Sequence, residues 1–347
     1  MRRGRTAAVV RAAALAVLLT VGLPVSAAGA APGPADDADG LPGSEIVAVD
    51  QQSRSVLVLD RRHTLRLEEG GRLEQSDRPD EVRWSWSADR APGLADLHPA
   101  SIWWGASEAK SRLLHGHRYL LTASSGGLAA VVSYPGAQVY WAAALGAANP
   151  HSLELLPDGN VAVTASGGGW LRLYPASQGP RADRYAEVPL AGAHGVHYDP
   201  AHALLWAIGN RELTAYKVTG TQSAPALVRV RSTPLPEADG HDLTPVYSPP
   251  GRLWVATGAH VWQYDPERDA FARVHLGGGH DDGHDDGWNV KSVGDDPLTG
   301  RILTTTPEPG GPCVWCTSVL TLYRPDGTRV LTGTQLYKAR WWTTRRW

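Results

Sequence analysis

The stretch HSLELLPDGNVAVTA, His151–Ala165, decides the fold. Leu153 and Leu155 alternate with their neighbours, and so do Val161 and Val163. That is the two-residue period of a half-buried strand. Between the two runs, Pro157, Asp158, Gly159 and Asn160 supply the fixed and the positive backbone angles of a tight turn. The unit reads as a polar opening residue, a strand, a turn and a second strand.

The unit recurs. Lys110 opens KSRLLHGHRYLLTAS, His194 opens HGVHYDPAHALLWAIG and His241 opens HDLTPVYSPPGRLWVATG. Lys291 opens KSVGDDPLTGRILTTT, and Lys338 opens KARWW near the end of the chain. With His151 the spacings are 41, 43, 47, 50 and 47 residues. Complete units run on into a third strand (LRLYPA, ELTAYKV, HVWQYDP, SVLTLYRPDG) and usually a fourth. Four antiparallel strands in roughly 40–50 residues make one β-propeller blade. The segment SEIVAVDQQSRSVLVLD at 44–60 looks like second and third strands without a first, and VRWSWSA at 82–88 like a fourth. The strand at Lys338–Trp342 would complete that blade and close the ring, removing open sheet edges. The expected architecture is all-β: six four-stranded antiparallel blades over residues 44–347, with seven blades as the alternative.

Composition sets bounds. The chain has 347 residues, a net charge of -2, 38 glycines and 26 prolines. Nothing in that balance attracts nucleic acid or an anionic membrane. Residues 1–30 read as a secretory signal: Arg2, Arg3 and Arg5, an apolar run from Ala12 to Val21, then the small-x-small site Ala28-Gly29-Ala30. Residues 31–43 read as a flexible leader. The expectation is a secreted monomer with no stable membrane insertion once the signal is cleaved. Cys313 and Cys316 are the only cysteines, and an exported β protein favours a local disulfide between them.

The opening residue of each first strand should face the channel mouth. The six openers are Lys338, Lys110, His151, His194, His241 and Lys291. Arginine outnumbers lysine 29 to 4, yet three of the four lysines fall at this one repeat position. A compact ammonium that can shift its pKa is a different tool from a guanidinium. Three lysines and three histidines on one axis would form a cationic funnel for a carboxylate, sulfate or phosphate, free or on a sugar. His151, His194, His241, Lys110 and Lys291 are then also candidates for general base or nucleophile. The competing reading is a polar channel binding only water and backbone, with Glu108, Glu154 and Asp242 offsetting the charge. Trp103 and Trp104 lie in the long connection 89–109, which is expected to cross the face near the mouth, and could stack on sugar or simply plug the propeller face. A second long connection, 277–289, holds GHDDGHDDG. Its Asp281, Asp282, His284, Asp285 and Asp286 could ligate a divalent cation such as calcium or manganese, or form a solvated acidic hinge. Trp84, Trp86, Trp206, Trp254 and Trp262 read as packing residues, and His115, His117, His197 and His202 as turn or surface residues. No Gly-rich phosphate loop, G-x-S-x-G elbow or H-E-x-x-H is present.

The unit NPHSLELLPDGNVAVTAS, the openers AHGVHYDP and DGHDLTPVY, and the closing LYKARWW resemble an uncharacterised family of secreted actinobacterial six-bladed propellers. The resemblance spans about 44–342 and implies a fold without an activity. The H-S-x-x-x-L-P-D-G-N unit is also similar to blades of arylsulfate sulfotransferases and, more loosely, of NHL and lactonase-type propellers. That second likeness implies sulfuryl transfer on one histidine among His151, His194 and His241. A lyase acting on uronate-containing glycans is the other chemistry that suits the funnel. The non-enzymatic alternative is an extracellular scaffold that holds a protein partner on one propeller face.

Overall fold

A computed structural model describes residues 44–60, 82–277, 287–311 and 313–343. The signal and leader segments, and the acidic loop with Asp281, Asp282, His284, Asp285 and Asp286, lie outside the described residues. The described residues form one compact unit.

Among the described residues the strands make six four-stranded sheets. All strand pairs are antiparallel, as hairpin connections require. The first strand of each sheet is the inner one. These are Leu336–Trp342 in blade one, Ala106–Leu114 in blade two and Pro150–Leu155 in blade three. Gly195–Asp199, Asp242–Pro245 and Ser292–Asp295 serve blades four, five and six. Each inner strand touches the next, and that of blade six touches Leu336–Trp342, so the ring is closed. The fold is a six-bladed β-propeller.

Closure works as the repeat implies. Leu336–Trp342 pairs antiparallel with Glu45–Asp50, with Ala48 opposite Ala339 and Ile46 opposite Trp341. The last strand is thereby the inner strand of the sheet begun by Glu45–Asp50, Ser55–Leu59 and Val82–Trp86.

The core is six apolar layers, one between each pair of neighbouring blades. Each joins inward faces that a two-residue period makes apolar. Leu114, Trp141, Leu153 and Val163 fill the layer between blades two and three. Trp206, Leu243 and Val255 fill the one between four and five. Leu303, Leu320, Ile46 and Trp341 close the sixth against the first. Trp86, Trp206 and Trp254 are buried as strand residues, and Trp84 and Trp262 pack against these layers. The turn after Leu155 has the expected chemistry. Asp158 accepts from the Asn160 amide at 3.0 Å, and Gly159 has φ +86°, where a Cβ would also run into the Tyr140 hydroxyl.

The connection between blades one and two departs from expectation. Short helical turns at Ala88–Arg90, Pro92–Leu97 and Pro99–Ile102 hold it over the tops of blades one and two. Pro92–Leu97 reaches the outermost strand of blade two, Val139–Ala144, and Gly93 abuts the Val139 side chain. That turn covers an outer sheet edge.

A chain ending before Leu336 would leave the Glu45–Asp50 edge unpaired and two apolar layers half-open. Such a truncation is expected to self-associate in size-exclusion chromatography and to lose its cooperative thermal transition. A soluble monomer with an unchanged melt would refute ring closure as a requirement of the fold.

Candidate functional site at the channel mouth

Strand alternation sends every second residue of an inner strand toward the axis. The openers begin those strands. His194, His241 and Lys291 directly precede theirs, His151 is second in its strand and Lys338 third. They come from blades three, four, five, six and one; the first four form a contiguous arc, and Lys338 lies beneath it. The His151 and His194 rings stack, centroids 4.1 Å apart and tilted by 24°. The His194 and His241 rings follow at 4.8 Å. The arc continues with Lys291 Nζ, 3.0 Å from His241 Nε2 and donating at 2.6 Å to Asn289 Oδ1. At the other end Tyr337 Oη lies 3.4 Å from His151 Nδ1.

Backbone carbonyls fix two tautomers. His194 Nδ1 sits 2.8 Å from Gly192 O, and His241 Nδ1 sits 3.1 Å from Asp239 O. A carbonyl can only accept, so both Nδ1 atoms carry the hydrogen and both Nε2 atoms keep their lone pairs. Charge follows the same logic. Burial, the neighbouring His241, Lys338 and Lys291 lower His194 to about 3. Burial and Lys291 lower His241 to about 4. Burial and the His194 ring push His151 well below the ordinary imidazole value. Burial and Lys338 lower Lys291 to about 8. At neutral pH the mouth therefore presents neutral imidazoles beside one ammonium. The expected cationic ring of six is a neutral acceptor array with a cation at its end, because imidazoles at stacking distance cannot share positive charge out of water.

Lys110 is absent from the arc. The inner strand of blade two is nine residues long and Lys110 is fifth in it, later than the openers stand in theirs, which carries that side chain deeper into the channel. There Lys110 Nζ donates to Val196 O at 2.9 Å and lies 3.8 Å from Glu154 and 3.9 Å from Glu108. It belongs to a buried ion-pair layer. Arg340 grips Glu108 at 2.7 and 2.9 Å and Asp242 at 2.6 and 2.9 Å. Lys338 Nζ, 3.1 Å from Asp242 Oδ1, links this layer to the mouth through His241 O. Arg112 holds Glu154 in a fork at 2.6 and 2.7 Å. Burial alone would raise Glu108, Glu154 and Asp242, but these cations outweigh it and hold all three carboxyls below the usual range.

Other sequence candidates divide. Trp103 is fully buried, edge-on to Trp86 at 5.4 Å with its Nε1 donating to Arg54 O, so it packs the core and cannot stack on a sugar. Trp104 is 56% exposed. Trp315 is 49% exposed and reaches Gln51 on the mouth face. Cys313 and Cys316 are joined by a disulfide. Among the described residues no three His, Cys, Asp or Glu side chains are grouped to hold a metal. His197 is a buried channel residue 3.6 Å from Glu154, not a surface one. Arg340, Arg112, Tyr337 and Asn289 are functional neighbours that sequence reading missed. The signal was present for two of them: Glu108-x-Lys110-x-Arg112 and Lys338-x-Arg340 are charged at a strand's two-residue period, which marks a polar channel face.

The profile of a family of unknown function, DUF6528, matches residues 23–345. The chain belongs to this family. No curated protein matches it. Solved structures similar to this DUF6528 protein include hydrazine synthase of Kuenenia stuttgartiensis, 15% identical, TM-score 0.42, covering 59% of each chain. Dihydro-heme d1 dehydrogenase NirN is 14% identical, TM-score 0.44, over 85% of this chain and 53% of its own. Virginiamycin B lyase of Staphylococcus aureus is 9% identical, TM-score 0.42, over 66% and 85%. The chain thus spans little more than half of the first two.

Two outcomes are expected. Replacing Arg340 by Met strands two buried carboxylates, which costs about 3–5 kcal/mol in denaturant unfolding; a change under about 1 kcal/mol would contradict the ion-pair layer as described. The second concerns pH. Histidines and carboxyls with lowered folded pKa values contribute stability above their unfolded values and lose it as pH falls. Thermal stability should decline from about pH 6.5 downward through the histidines, then further below about pH 4.5 through Glu108, Glu154 and Asp242. A melt that is flat down to pH 4.5 would oppose the neutral-histidine arc.

Proposed function

We infer that the channel mouth of this propeller binds a small acidic, hydroxyl-bearing molecule, such as a sugar acid. The observation that carries this reading is the sequence Lys291–His241–His194 at the half-buried mouth. Lys291, held against the His241 Nε2 lone pair, offers the charge for a carboxylate or sulfate, and the His194 Nε2 lone pair accepts from a hydroxyl group. A neutral imidazole beside an ammonium also suits proton abstraction next to a carboxylate, the first step of a lyase, in preference to sulfuryl transfer. The ligand site belongs on a secreted, monomeric protein.

A second reading, a protein-interaction scaffold, is favoured by one feature. Arg340 of blade one bridges carboxylates of blades two and five across the axis, so the channel is crossed just below the mouth. On the same face Val314 is 79% exposed beside Trp315.

Calorimetry with glucuronate and with sulfate at pH 7 separates the two. Saturable binding is expected, weakened about tenfold or more in Lys291→Met and His241→Ala, as loss of a hydrogen bond to a charged group implies. Affinity should fall above about pH 8 as Lys291 loses its proton. No heat with either probe, or variants that bind like the parent, would leave the scaffold reading standing.

A further inference from the structure

Lys291 combines three properties that anion binding alone does not require. Its Nζ is 3.0 Å from the Nε2 lone pair of His241. That imidazole is itself oriented by Asp239 O through Nδ1 and braced by the His194 ring. Lys291 is only 6% exposed and, among the described residues, has no carboxylate at ion-pair distance, in contrast to Lys110 and Lys338. Nucleophile, base and orienting group in hydrogen-bond sequence are the signature of an activated nucleophile.

We propose that Lys291 is a nucleophilic amine that forms an imine with a small acidic aldehyde or keto compound entering the channel mouth. Among the described residues, the charged and titratable groups facing it are His241, His194 and His151 along the arc, Lys338 beneath, and Asp239 toward solvent. The cation of Lys338 opposes protonation of Lys291 and attracts the carboxylate of the incoming molecule. The resulting lowering to about 8 leaves roughly one amine in ten neutral at pH 7, against about one in 2,500 for an ordinary lysine. In the reaction, the Lys291 ammonium first gives a proton through His241 Nε2 to solvent. The freed Nζ lone pair forms a bond to the carbonyl carbon, the C=O π pair moves to oxygen, and a proton passes from the nitrogen to that oxygen. The carbinolamine then expels its hydroxyl as water, leaving a C=N bond to Lys291. No oxidant or reductant takes part.

The inference rests on the mouth being the ligand site, and the experiment keeps the two apart. The full chain is incubated at pH 7 with glyoxylate and cyanoborohydride, which reduces an imine to a stable carboxymethyl-lysine. Peptide mapping by mass spectrometry then compares the lysines. Lys217, exposed on blade four, is the internal control. Modification of Lys291 is expected to exceed that of Lys217 about tenfold or more at pH 7 and to level off above about pH 8. The adduct should be lost in Lys291→Arg, which keeps the cation. It should slow in His241→Asn without loss of the folded circular dichroism spectrum. Glyoxylate binding by calorimetry without reductant tests the site itself. Binding with no preferential Lys291 adduct overturns the imine and leaves the ligand site intact; neither binding nor adduct overturns both.

Discussion

Arg340 is the constraint on which the channel depends. Its guanidinium, on the inner strand of blade one, carries the carboxylates of Glu108 from blade two and Asp242 from blade five. Those blades face one another across the ring. Two carboxylates so deeply buried are tolerable only because a planar donor fork meets both at once. Once this pair is fixed, neighbouring atoms have determined places. Ser152 donates to Glu108, the Val293 amide donates to Asp242, and Lys338 settles against Asp242. Buried ion pairs of this sort add little net stability over apolar packing, but they penalise any register that separates them. The six apolar layers hold the ring together, and the central charges specify how its parts align.

The mouth inherits its electrostatics from that layer. Burial first, then the neighbouring rings and the charges of Lys338 and Lys291, keep the stacked imidazoles neutral. Neutral imidazoles in turn have only their lone pairs to present, since two Nδ1 hydrogens are spent on backbone carbonyls. The site therefore reads as acceptors flanked by one available ammonium.

Much of the fold was legible because it rests on local rules. The Pro157–Asn160 turn, the period-two strands and the spacing of the openers each follow from residue chemistry, and together they imply blades and their closure. The site was legible only in part. The concentration of Lys110, Lys291 and Lys338 at one repeat position did point to the axis. Depth did not follow, because nothing in KSRLLHGHRYLLTAS announces that its strand begins at Ala106. Arg340 was hidden among 29 arginines. Trp103 and His197 were misplaced because a residue type near a loop does not reveal whether the loop is buried. The neutrality of the histidines depends on ring separations of a few ångströms between blades, which no single unit encodes.

The closing strand has a consequence for the order of events. Tyr337, Lys338 and Arg340 all lie on Leu336–Trp342, which follows every other described strand in chain order. Until it docks, Glu108 and Asp242 lack their guanidinium and His151 lacks its hydroxyl neighbour. A growing chain can form and stack blades two to six while its axis is still wet and ionically unmatched. The hydroxyl, ammonium and guanidinium that brace the mouth from below thus arrive together, while the arc from His151 to Lys291 is carried by blades three to six.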